Sequence, residues 1–84
     1  MSLTATDKYL AGLVFNLSEA FIMFSHEAVK LSGLLERTEA AVSPESCCDL
    51  QKQCIAEVQA FEEYLNRKEE IFAYLNVASR QATA

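Results

Sequence analysis

The chain has 84 residues, twelve of them acidic and seven basic, and a formal net charge of −5 at pH 7. This balance argues against nucleic-acid binding, because phosphate backbones are bound by clustered lysine and arginine side chains. Hydrophobic residues make up 51% of the chain, with only two glycines and one proline, which favours a single all-α domain over a sandwich or barrel. A chain this short has a thin core, so we expect its stability to depend on a disulfide, a metal or a partner.

A largely apolar run spans residues 9–24. Asn16 and Glu19 interrupt it, and the run is shorter than the roughly 20 apolar residues that a membrane-spanning helix needs. No small-residue cleavage site follows a continuous apolar stretch. We therefore expect a soluble, unprocessed, cytoplasmic protein without membrane insertion.

The first helix is expected at about residues 5–41, with Thr4 and Asp7 spaced as a capping box at its start. Apolar residues then recur at alternating intervals of four and three, which is the spacing of a seam that packs against one partner helix. This seam is predicted to consist of Leu10, Val14, Leu17, Phe21, Phe24, Ala28, Leu31 and Leu35.

A second apolar row lies on another side of the first helix. Phe15, Ile22 and Val29 follow one another at intervals of seven residues, and alanine and serine side chains separate them from the seam. Large residues that flank small ones form a shallow groove into which another helix can pack. Because two helices alone cannot bury both rows, we predict a partner-binding surface made of Phe15, Ser18, Ile22, Met23, Ser25 and Val29.

The turn between the helices is expected at Ser43, Pro44 and Glu45. Serine is a preferred capping residue, proline suits the first helical position, and an acid in the first turn complements the helix dipole. The residue before a proline resists the helical conformation, so the first helix must end by about Val42. This short connection predicts an antiparallel two-helix hairpin, a single domain of residues 1–84 with short flexible termini.

The second helix is expected at about residues 44–79, with a disordered tail from Arg80 onward. Lys68 falls where its seam should continue; either its stem lies along the seam with the charge in water, or the helix bends there. The predicted seam consists of Cys47, Leu50, Cys54, Val58, Phe61, Leu65, Phe72 and Leu75.

Three cysteines, Cys47, Cys48 and Cys54, are confined to one short stretch. A disulfide framework would spread an even number of cysteines among loops, so we interpret these thiols as small apolar side chains, with a redox or metal role as the alternative. The single histidine, His26, is expected on the polar side of the other helix. We predict no metal, no cofactor and no catalytic residue, because a two-helix hairpin has no interior cleft where polar groups could converge.

The start of the second helix resembles a known family. Pro44-Glu45 is followed after four residues by Leu50-Gln51 and then by Gln53. This run, together with the size, acidity and two-helix plan of the chain, is similar to the small E-type co-chaperones of the type III secretion needle subunit, the YscE-like family. The resemblance implies that Pro44 and Glu45 cap the second helix, that Leu50 packs in the hairpin, and that Gln51 and Gln53 are peripheral.

The resemblance also implies a function. Members of that family dock their hairpin on a tetratricopeptide-like chaperone, and the two proteins together hold the needle subunit as a soluble monomer in the bacterial cytoplasm until export. The partners implied for this chain are therefore a repeat-type chaperone and a needle subunit.

Two other functions are compatible with the same periodicity. The chain can be a helical subunit of another hetero-oligomeric scaffold or tethering complex, or a homodimeric adaptor in which two hairpins close into a four-helix bundle. Solution mass distinguishes the homodimer from the hetero-complexes, and co-expression with a repeat-type chaperone distinguishes the co-chaperone from other scaffold subunits.

Overall fold

A computed structural model describes residues 5–83, and the side chains of residues 8–81. It contains two α-helices, α1 (Ala5–Ala40) and α2 (Pro44–Thr83), joined by a three-residue connection and packed against each other. The hairpin measures 61 × 24 × 13 Å, so it is one layer of helix thick. The predicted all-α antiparallel hairpin is confirmed.

The helix ends match the predictions closely at the turn and less well at the carboxyl end. α2 continues through Arg80 to Thr83, so the predicted disordered tail is corrected to a helical one. The predicted capping box of Thr4 and Asp7 depends on side chains outside the described residues.

Ser43 is the cap of α2, as predicted. The Ser46 backbone N–H donates to the Ser43 hydroxyl oxygen at 3.1 Å, and the Ser43 N–H donates to the Ser46 hydroxyl oxygen at 3.0 Å. This reciprocal pair satisfies backbone donors that the helix start would otherwise leave without partners. Pro44 and Glu45 follow as the first helical residue and the first-turn acid.

The seam between the helices is narrow. Leu13 and Ala20, exposed by only 8% and 6%, are the buried hydrophobic residues among those described. On α1 the least exposed positions alternate at intervals of three and four, and on α2 they follow the same rule. The α1 seam is formed mainly by Leu10, Leu13, Leu17, Ala20, Phe24, Leu31 and Leu34, and the α2 seam by Leu50, Gln53, Ala56, Ala60, Tyr64, Arg67, Ile71, Tyr74 and Ala78.

The structure corrects the predicted seam. Leu10, Leu17, Phe24, Leu31 and Leu50 are half-buried, in agreement with the prediction, and so is Ala28. The other predicted core residues are exposed, namely Val14, Phe21, Leu35, Cys47, Cys54, Val58, Phe61, Leu65, Phe72 and Leu75.

Small residues explain why the helices are rotated away from the predicted register. Ala20 on α1 and Ala56 and Ala60 on α2 lie in the seam, where they allow the two backbones to approach closely. α2 is consequently turned by about one residue, roughly 100°, relative to the expected register. The side chains that are thereby moved out of the seam to its side are Val58, Leu65, Phe72 and Leu75.

Candidate interaction surface

Two rows of side chains on each helix project from the same broad side of the hairpin. On each helix, the residues of one row come four positions after residues of the seam. The second row lies next to the first, farther from the seam. Ring contacts join the two helices on this side: Phe24 lies 5.2 Å from Phe61 and Phe21 lies 5.7 Å from Tyr64, between ring centroids. We call this side the apolar face; its large residues are Val14, Phe21, Leu35, Val58, Phe61, Leu65, Phe72 and Leu75.

The apolar face is open to solvent. The exposed fraction of its large residues runs from 40% at Phe61 and Leu65 to 75% at Phe72. Monomeric soluble proteins rarely expose contiguous apolar patches of this kind, and such patches mark protein–protein contact sites or ligand grooves. The face therefore has the properties of a surface that another molecule covers.

A row of small residues runs along α1 within the apolar face, at Ala11, Ser18, Ser25 and Ser32. The Ser18 hydroxyl donates to the Val14 carbonyl oxygen at 3.0 Å, so its polar hydrogen is satisfied within the helix. A shallow hollow lies beside it, lined by Leu17, Phe21 and Tyr64 among others. The backbone of another helix can approach closely here without leaving this donor unpaired.

The six predicted partner-binding residues are divided among three sides of α1. Phe15, Ile22 and Val29 form the outer edge of α1, next to the apolar face, and all three are exposed. Ser18 and Ser25 lie on the face itself. Met23 lies on the opposite broad side, in a hollow that it shares with Ala20, Ala56 and Glu63. The structure thus brings five of the six residues onto one continuous surface, and their contact with a partner remains a prediction.

The opposite broad side is mostly polar, although Met23 and Val77 are exposed there. Arg67 pairs with Glu63 at 2.7 Å and with Glu70 at 3.0 Å. Both carboxylates raise the pKa of Arg67. The ion pairs of Arg67 therefore lie on this side, whereas the large exposed apolar residues are concentrated on the other.

A polar contact also crosses the seam from this side. The Gln53 side-chain amide donates to the Glu27 carboxylate and, at 3.1 Å, to the Glu27 carbonyl oxygen, so Gln53 is not peripheral. The amide hydrogen bond and the nearby Lys30 ammonium outweigh partial burial and lower the pKa of Glu27. Because the folded pKa is depressed, the carboxylate stabilises the hairpin above the ordinary glutamate pKa, and this contribution is lost as the pH falls through the folded value.

Lys68 places a positive charge in the middle of the apolar face. It does not fill a seam position, contrary to the expectation; it is exposed, and its ammonium lies 5.2 Å from the ring centroid of Tyr64. No carboxylate of the described residues forms an ion pair with it. Glu69, which follows Lys68 directly, and Glu62, six residues before it, lie on the outer edge of α2. Lys68 is thus a cation that needs an acceptor once the face is covered.

The remaining chemistry of the chain is sparse. Cys47, Cys48 and Cys54 are free thiols and all three are exposed. Over the part of the chain that the structure describes, no group of three or more histidine, cysteine, aspartate or glutamate residues could hold a metal ion. Within the same residues, no helix is both long and apolar enough to cross a membrane.

The sequence-based prediction missed the large residues of the apolar face on both helices because it assigned them to the core. A signal was present in the alanines: Ala56 and Ala60, like Ala20 on α1, mark an alternative seam with the same three-and-four spacing. A seam that runs through these alanines places Val58, Leu65 and the other large residues outside it.

Comparisons of the chain with protein-family models, with curated proteins and with solved structures gave no match.

Proposed function

We propose that this chain is a non-catalytic helical subunit that acts in the cytoplasm by binding another protein through the apolar face and the adjoining outer edge of α1. One observation carries the proposal: both helices leave large apolar side chains exposed on the same broad side, outside the seam. A hairpin that had to be stable alone would place those side chains in its seam, where their burial would contribute to folding.

The free energy available to such binding is large. Complete burial of a valine, leucine or phenylalanine side chain contributes about 1.5–3 kcal/mol. The apolar face offers eight such side chains, which are 40–75% exposed and so gain the corresponding part of this free energy on burial, and the outer edge of α1 adds Phe15, Ile22 and Val29. A partner that binds the folded hairpin and not the unfolded chain stabilises the fold by mass action.

Within this class, we propose a co-chaperone of the type III secretion needle subunit. The support is the resemblance carried by Pro44-Glu45 and Leu50-Gln51 at the start of α2, together with the two-helix plan. The hairpin would dock on a tetratricopeptide-like chaperone, and the pair would hold the needle subunit soluble and monomeric before export. Recognition through apolar anchors spaced along helices needs no catalytic group.

A subunit of another hetero-oligomeric helical scaffold is the second candidate. The open apolar face supports it equally, because any helical partner could cover that face. The two candidates differ only in the identity of the partner that co-purifies.

The test is co-expression of the chain with a tetratricopeptide-like chaperone and a needle subunit from the same genome. We expect a soluble complex of all three proteins. Ile22→Asp should abolish co-purification of the chaperone and leave the circular dichroism spectrum of the isolated chain unchanged, since Ile22 is half exposed and outside the seam.

Met23→Asp is the matched control. Met23 is exposed to a similar extent, but it lies on the polar broad side, so the same change there should leave the complex intact. Absence of any complex with the wild-type chain would contradict the co-chaperone assignment and favour a different scaffold. Unfolding of the Ile22→Asp chain would show that this residue belongs to the core of the hairpin.

A further inference from the structure

The width of the apolar face restricts what can cover it. The hairpin is 24 Å wide, whereas a single helix with its side chains is about 10–12 Å in diameter. One helix laid along the middle would leave the outer rows of both α1 and α2 in water. A second hairpin has the same outline and would cover all of the rows.

The size of the face is sufficient for a stable dimer. Standard protein–protein interfaces bury roughly 800 Å² on each partner. The broad side of the hairpin is 61 Å long and 24 Å wide, so an overlap of about half its length supplies that area. Two copies of the hairpin stacked face to face therefore have area to spare.

Charge supplies a second constraint. Covering the face removes Lys68 from water, and an ammonium without an acceptor is strongly unfavourable there. A second copy brings a carboxylate of its own: Glu62 lies on the outer edge of α2, six residues before Lys68. The chain thus carries both members of a possible ion pair beside the same face.

One arrangement satisfies both constraints. If a two-fold axis crosses α2 at Leu65, Lys68 of each copy is level with Glu62 of the other, since both are three residues from the axis. Phe72 of each copy is then level with Val58 of the other, because both are seven residues from it. The axis passes close to the midpoint of α2 (Pro44–Thr83), so the hairpins overlap over nearly their whole length.

We propose that a second copy of this chain covers the apolar face when no other partner is bound, forming an antiparallel four-helix bundle about a two-fold axis at Leu65. The interface is isologous, with the same surface on both copies. This dimer is the state of the free chain and does not rest on the proposed function. A hetero-partner that binds the same face would displace the second copy.

The first experiment is size-exclusion chromatography with light scattering on the full chain, under reducing conditions and over a wide range of concentrations. We expect a mass of twice 9.4 kDa that falls toward 9.4 kDa on dilution. Phe72→Asp should give 9.4 kDa throughout the range with unchanged helicity, since Phe72 is 75% exposed in the single hairpin.

Val77→Asp is the matched control for this substitution. Val77 is also exposed and also on α2, but it projects from the polar broad side, so its replacement should leave the dimer intact. A wild-type mass of 9.4 kDa at every concentration would overturn the proposal, and so would a dimer that Phe72→Asp does not disrupt.

A charge exchange tests the position of the axis. Lys68→Glu should weaken the dimer by about tenfold or more, as expected when one partner of an interfacial charge pair is reversed. Adding Glu62→Lys in the same chain should restore most of the affinity, whereas Lys52→Glu on the polar side should have little effect. A double variant as weak as Lys68→Glu alone would refute an axis at Leu65.

These outcomes separate the dimer from the proposed function. A monomeric chain that still co-purifies with the chaperone would contradict the dimer alone. A dimer that never co-purifies with the chaperone would contradict the co-chaperone function alone.

Discussion

At the scale of single residues, Thr38 is a weak point of the seam. Its hydroxyl oxygen is buried near the end of α1 and has no hydrogen-bond partner among the described residues. Thr38→Val replaces this hydroxyl with a methyl group of similar shape and should stabilise the hairpin by about 1 kcal/mol, because an unsatisfied buried polar group is removed. The unfolding midpoint in urea measures the change.

Thr38→Ser is the control for this prediction. It retains the hydroxyl and removes the methyl group, so it should destabilise the hairpin instead. A Thr38→Val chain that unfolds at lower urea than the wild type would indicate that the hydroxyl has an acceptor after all.

The hydrogen bond between Gln53 and Glu27 could not be predicted from the sequence. The spacing indicated neither as a seam residue, and the resemblance implied that Gln53 is peripheral. Their contact depends on the rotation of α2 relative to α1. This rotation brings the Gln53 amide within hydrogen-bond distance of the Glu27 carboxylate and of the Glu27 carbonyl oxygen. Pairings of this kind follow from three-dimensional register and have no local signature.

At the scale of the helices, the two glycines of α1 lower its helix propensity at positions where the packing does not require a glycine. A methyl group added at Gly12 or Gly33 would meet nothing within 4 Å, and neither glycine has a positive φ. Gly12→Ala should therefore stabilise the hairpin by about 0.5–1 kcal/mol through helix propensity alone.

Thermal unfolding followed by circular dichroism measures this effect, and Gly33→Ala should act in the same direction. Ala11→Gly, one residue before Gly12, provides the reverse change on the same helix and should lower the melting temperature. A Gly12→Ala chain less stable than the wild type would mean that this position is covered by another molecule.

The helices themselves could be predicted from the sequence, and their rotation could not. The Ser43-Pro44-Glu45 signal fixed the turn because capping depends on a few adjacent residues, and the scarcity of glycine and proline fixed the fold class. The rotation depends on the balance between large and small residues over both helices. The apolar residues cover a wide arc of each helix, so two different seams are compatible with the sequence. Both seams include Leu10, Leu17, Phe24 and Leu31, and the alanines favour the seam that the structure shows.

At the scale of the whole molecule, the hairpin has little core of its own. Its buried hydrophobic residues are Leu13 and Ala20 among those described, so the folded state is expected to gain much of its stability from whatever covers the apolar face. The melting temperature of the wild-type chain should therefore rise with protein concentration. Differential scanning calorimetry at several concentrations provides the measurement.

Phe72→Asp should melt at a lower temperature than the wild type, and that temperature should not change with concentration. Equal melting temperatures for the two chains at every concentration would show that the single hairpin is stable without cover.

The thin seam has a consequence for turnover in the cell. Proteases attack the opened form of a protein in proportion to its population when opening is fast, and an uncovered hairpin with so few buried residues opens often. Copies without an occupant on the apolar face would be degraded first, while covered copies would persist. The abundance of this protein would then follow the abundance of its binding partner, and the two would be kept in proportion without a dedicated regulator.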